Sequence, residues 1–147
     1  TAGADIDFGT HIAKSSSEQV SQGNVGQATN NIQVNCSKNT VFQVALEPSN
    51  TNAEGTGSMS GLKGTNQDKI AYQLYKPTVS NAGTENETVD NLSTTEKWGK
   101  GSNALTLTGK GLSSPIMLPV FAKVPQNQLS DKTPDTYQDR VKVTLTY

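Results

Sequence analysis

The chain has 147 residues, 32% of them hydrophobic and 5% aromatic, with 12 Lys/Arg against 13 Asp/Glu. That length forms one domain with a moderate core, and a net charge of −1 with basic residues scattered singly excludes the electrostatic footprint of a nucleic-acid binder. No apolar run approaches the ~20 residues of a membrane helix, and low charge with many Gly, Asn, Thr, Ser and Gln suits a β-rich extracellular protein better than a disordered one.

Residues 4–9 read as a first strand with Ile6 and Phe8 inward. Residues 15–26 are polar and read as loop with a weak edge strand around Val20. Residues 31–36 and 41–46 both alternate, and the turn-like cluster 37–40 between them predicts a hairpin. Phe42, Val44 and Leu46 share its inner face. A polar loop over 48–57 and a very short strand at 58–60 follow. Residues 68–75 alternate again, with Ile70, Tyr72 and Leu74 inward.

Residues 77–97 form the longest polar stretch and read as an exposed excursion with an edge strand at most. Residues 104–108 predict a strand, and residues 115–124 another, with Ile116, Leu118, Val120, Ala122 and Val124 on one face. The clearest strand is the last, residues 137–147. There Tyr137, Asp139, Val141, Val143, Leu145 and Tyr147 share one parity, and Gln138, Arg140, Lys142, Thr144 and Thr146 the other. No segment shows a helical period. Seven or eight short strands separated by turns predict a β-sandwich. Nothing in the 147 residues follows the last strand, so its far edge is expected to accept a strand from a partner.

Chemistry-bearing residues are sparse. One His and one Cys do not make a zinc set. His11, beside Gly9 and Thr10, reads as a surface or turn residue, and no activating pattern pairs it with Cys36. Asp5 and Asp7 read as a solvated strand face. The glycine–lysine–glycine runs at 99–101 and 109–111 open no helix and are not phosphate loops. Trp98 reads as a core residue, with a sugar-stacking platform of Trp98, Tyr72 and Tyr75 as the functional alternative. Cys36 is either a buried small residue or half of a disulfide. No enzyme and no cofactor is expected.

Six stretches in order resemble the spore coat protein U-like domain, the subunit module of archaic, Csu-type chaperone–usher pili. They are residues 5–9; 32–36 with 41–46; 70–75; Trp98-Gly99; 118–125; and Tyr137-Gln138-Asp139 with Val141, Val143, Leu145 and Tyr147. The chain departs from the pattern in carrying Asp135 where a glycine is usual before the final Thr-Tyr. The resemblance implies a single pilin domain over 1–147, all-β, with an immunoglobulin-like sandwich missing its final strand. A periplasmic chaperone, and then a neighbouring subunit at the outer-membrane usher, would complete it by strand donation.

The groove implied by the resemblance lies along Tyr137, Val141, Val143, Leu145 and Tyr147, with Ile6 and Phe8 opposite. Basic residues of the chaperone would hold the Tyr147 carboxylate. Cys36 would bond a cysteine outside the 147 residues. The implied role is a structural subunit of an extracellular adhesive pilus, passing through the periplasm to the cell surface. A tip adhesin or carbohydrate-binding module, using loops such as 77–97, is the second reading.

Overall fold

Short runs of alternating apolar and polar side chains make strands, and burying their apolar faces against one another makes layers. The computed structural model describes Ile6, Phe8, Gln19, Val20 and residues 32–147. The strands in chain order are β1 (Gln19–Val20), β2 (Ile32–Val34), β3 (Val41–Pro48), β4 (Thr56–Gly61), β5 (Lys69–Ser80) and β6 (Thr88–Lys97). After a 3-10 turn at Gly101–Asn103 come β7 (Leu105–Thr108), β8 (Ile116–Leu118), β9 (Phe121–Val124), β10 (Tyr137–Gln138) and β11 (Val141–Thr146). The described residues contain no α-helix, and the protein is all-β with its sheets packed as a sandwich.

One sheet has the order β1-β9-β5-β4-β10, with β6 also on β5; the other has the order β11-β3-β7. β2 and β8 pair as a two-stranded ribbon. β5 organises the first sheet. Its Gln73 pairs with both Thr56 and Lys123, and its Tyr75 with both Lys97 and Phe121. Thus β4 and β6 follow one another along one edge of β5 while β9 holds the opposite edge. The core takes Ile70, Tyr72, Leu74, Ala122 and Val124 from this sheet and Phe42, Val44, Leu46, Leu105 and Leu107 from the other. Trp98 is fully buried among them and donates its indole N–H to the Val44 carbonyl at 2.9 Å.

The structure corrects the sequence reading in several places. Residues 31–46 are not a hairpin: β2 pairs with β8, while β3 pairs with β11 and β7. Asn39, at a φ of 65°, bonds its N–H to the Gly109 carbonyl, so the turn carries the chain between sheets. Residues 115–124 are two strands, β8 and β9, parted at Pro119, which has no N–H to donate.

The stretch 77–97 is mostly the β5–β6 hairpin rather than an excursion. Its pairing shifts register on both sides of Pro77, the bulged position a proline tolerates. Its polarity is that of a solvent-facing edge strand. β1 lies where the weak edge strand around Val20 was expected, paired to β9. Asp5, Asp7 and His11 lie outside the described residues, as does the first strand apart from Ile6 and Phe8.

Candidate functional site

Residues 137–147 are two strands in two sheets. β10 pairs Tyr137 with Gly61 and Gln138 with Ser60, on β4. β11 crosses to the opposite layer and pairs along β3, with Val141 opposite Pro48, Val143 opposite Leu46 and Leu145 opposite Val44. Directly opposed residues of an antiparallel pair point to the same face. Val141, Val143 and Leu145 therefore project to the face that Pro48, Leu46 and Val44 turn to the core. The outer face carries Lys142 opposite Glu47, Thr144 opposite Ala45 and Thr146 opposite Gln43.

One face thus has two degrees of cover. Leu46 and Val44 are 1% and 0% exposed, whereas Val143 and Leu145 beside them are 41% and 39% exposed. Tyr147, of the same parity, is 88% exposed. Val141, nearest the crossing, packs against the core. Among the described residues β11 ends its sheet, with β3 on one side and no strand on the other. An apolar row on the inner face and an unpaired edge of backbone donors and acceptors are what an added strand uses: backbone bonds along the edge, side chains into the row.

The crossing is held by side chains. Asp139 accepts hydrogen bonds from the Tyr72 hydroxyl at 2.5 Å and from the Ser49 hydroxyl. Burial, reinforced by the carboxylate, pushes the Tyr72 phenol well above its ordinary range, so it stays a donor. Gly57 makes room for this tyrosine, since a Cβ there would lie 2.2 Å from Tyr72 Cζ. Tyr137 donates its hydroxyl to the Thr133 carbonyl at 2.6 Å and accepts from the Asn66 amide at 3.0 Å. Asp135, in place of the glycine usual in the resembling pattern, accepts from the Lys63 N–H and the Asn66 amide, both at 3.0 Å.

Of the expected groove residues, Val141, Val143 and Leu145 come together on β11, followed by Tyr147. Tyr137 stands in the other sheet. Ile6 and Phe8 are half-buried and packed against the core. Cys36 is a buried free thiol with its carbonyl bonded to the Gly111 N–H at 2.9 Å. The stacking platform is absent: Trp98 and Tyr72 are buried in the core, and the half-buried Tyr75 has Lys123 Nζ 5.4 Å from its ring centroid. Sequence reasoning missed Asp139 and Ser49. The signal for the first was a carboxylate at an apolar-parity position.

The sequence model of the Spore Coat Protein U domain matches residues 1–144. A search of curated proteins found no match to the chain.

Proposed function

The chain belongs to the Spore Coat Protein U domain family, which includes Csu-type chaperone–usher pilus subunits, and on that premise we propose that it is a structural subunit of an extracellular adhesive pilus, assembled by donor-strand complementation. The family is one of structural pilus subunits rather than enzymes. Its members work with chaperones, an usher and neighbouring subunits.

The observation that carries the proposal is the unequal cover of one sheet face, buried on β3 and open on β11. In this reading Val141, Val143, Leu145 and Tyr147 form the wall that receives first a periplasmic chaperone strand and then a strand from a neighbouring subunit. Ile6 and Phe8 belong to the same groove. Cys36 takes its disulfide partner from outside these 147 residues, and the protein passes through the periplasm to the cell surface. The burial of Trp98 and Tyr72 removes support from the adhesin alternative in its sugar-stacking form.

Magnitudes support partnership. A donor strand placing four or five large apolar side chains contributes roughly 1.5–3 kcal/mol for each. The total is about 6–15 kcal/mol before ordering costs, comparable to the ~5–15 kcal/mol stability of a whole domain. The test is native mass spectrometry of the protein purified from a periplasm expressing the neighbouring secretion genes. The expected result is a one-to-one complex with a second protein, or a ladder of subunit multiples. Recovery of nothing but folded monomer from that periplasm, with those partners present, refutes the proposal.

A further inference from the structure

Apolar alternation sets which face of β11 turns inward, but not where along β3 the strand sits. Its inward row is Val141, Val143, Leu145 and Tyr147. A slip of two residues, ~7 Å along the strand, keeps every apolar side chain on the same face. Val143 would then oppose Pro48, Leu145 would oppose Leu46, and Tyr147 would oppose Val44. A one-residue slip, by contrast, turns Lys142 and Thr144 to the core and is rejected outright. The hydrophobic pattern is therefore nearly degenerate between registers two residues apart.

The structure contains a device that breaks this degeneracy. Asp139 lies two residues before Val141, the first residue of β11, and Val141 is paired with Pro48. Ser49, next to Pro48, donates its hydroxyl to one Asp139 carboxylate oxygen, and Tyr72 of the opposite sheet donates to the other. Both donors are locally anchored. Tyr72 is buried in β5 over Gly57, and the turn beginning at Pro48 is closed by a 2.9 Å bond from the Thr51 N–H to the Pro48 carbonyl. In a two-residue slip the carboxylate leaves both hydroxyls. The rest of the crossing anchors further back: β10 ends at Gln138 and is held by the Tyr137 and Asp135 bonds to Thr133, Asn66 and Lys63, whereas Asp139 stands two residues from β11 itself.

We infer that Asp139 is the register pin of the groove strand: its two hydroxyl contacts select one of the two-residue registers of β11 on β3 and so fix where Val143 and Leu145 stand. The inference rests on the reading of this face as a strand-accepting groove. Asp139 is a positioning residue, and it touches no incoming strand in this account.

The register is measured by cross-linking outward-facing cysteine pairs in the full chain with Cys36→Ala. Ala45→Cys with Thr144→Cys reports the observed register. Ala45→Cys with Thr146→Cys, or with Lys142→Cys, reports the two slips. With Asp139 present the first pair forms and the others are minor. Asp139→Ala is expected to raise the slipped products relative to the first by on the order of tenfold, the scale of losing hydrogen bonds to a charged group. Tyr72→Phe and Ser49→Ala are expected to give smaller rises, and Asp139→Asn to restore part of the selectivity.

If Asp139→Ala does not fold, the Tyr72→Phe and Ser49→Ala variants and their double carry the test. An unchanged product ratio in the folded variants overturns the pin, as does an equal loss of all three products. Register is read on this chain without a partner, whereas strand donation is read by association with a second protein, so either can fail while the other stands.

Discussion

Truncating the two half-covered residues of β11 separates a groove from an ordinary surface strand. Removing a buried methylene-sized group costs about 0.8 kcal/mol, so a fully buried Val→Ala is worth about 1.6 and a fully buried Leu→Ala about 2.4 kcal/mol. Val143 and Leu145 are 41% and 39% exposed. Scaled by cover, Val143→Ala is expected to destabilise the domain by about 0.9 kcal/mol, and Leu145→Ala by about 1.5 kcal/mol. The uncovered fractions, about 0.7 and 0.9 kcal/mol, appear only when a strand closes the face. Together they weaken strand binding by about 15-fold.

The assay is fluorescence anisotropy with a labelled peptide alternating valine and threonine, run beside urea unfolding of the same proteins. Thr144→Ala, on the outer face of the same strand, is the control and is expected to leave peptide affinity within about twofold. Equal binding by the wild type and both groove variants, or a Thr144→Ala loss as large as theirs, refutes the assignment of the inner face as the groove.

Trp98→Phe removes the indole N–H from the Val44 carbonyl and leaves space in a fully buried site; a loss of about 2–4 kcal/mol is expected by urea unfolding. Gly55→Ala is expected to cost more than about 2 kcal/mol, because Gly55 has φ +78° and a Cβ would lie 2.0 Å from the Trp98 carbonyl oxygen; a change under about 0.5 kcal/mol contradicts this. Acid should loosen the loops around Asp68 and Asp135. The Thr133 hydroxyl and N–H lower the Asp68 pKa, and the Asn66 amide leads the contacts that lower that of Asp135. Depressed carboxylate values add stability that is present above the unfolded aspartate pKa of ~3.9 and is lost as pH falls from there through the folded values. Asp68→Asn with Asp135→Asn should flatten the fall in unfolding midpoint below about pH 4, and an unchanged acid slope argues against this linkage.

Strand identity was largely written in local alternation. Phe42, Val44 and Leu46, the Ile70–Tyr72–Leu74 row, and Val141, Val143 and Leu145 each declared a face, because a period of two follows from backbone geometry alone. The family was legible as well, since it rests on several such rows in a set order. Partner choice was not. Residues 31–46 read as a hairpin yet send their two strands to different neighbours, and residues 137–147 read as one strand yet divide between two sheets. Pairing partners distant in sequence are decided by which arrangement buries the most apolar surface and satisfies the most backbone groups. The two-residue slip of β11 is the sharpest case. Parity determines its inward face, but parity is blind to translation, and only the tertiary meeting of Asp139 with Ser49 and Tyr72 decides where the strand comes to rest.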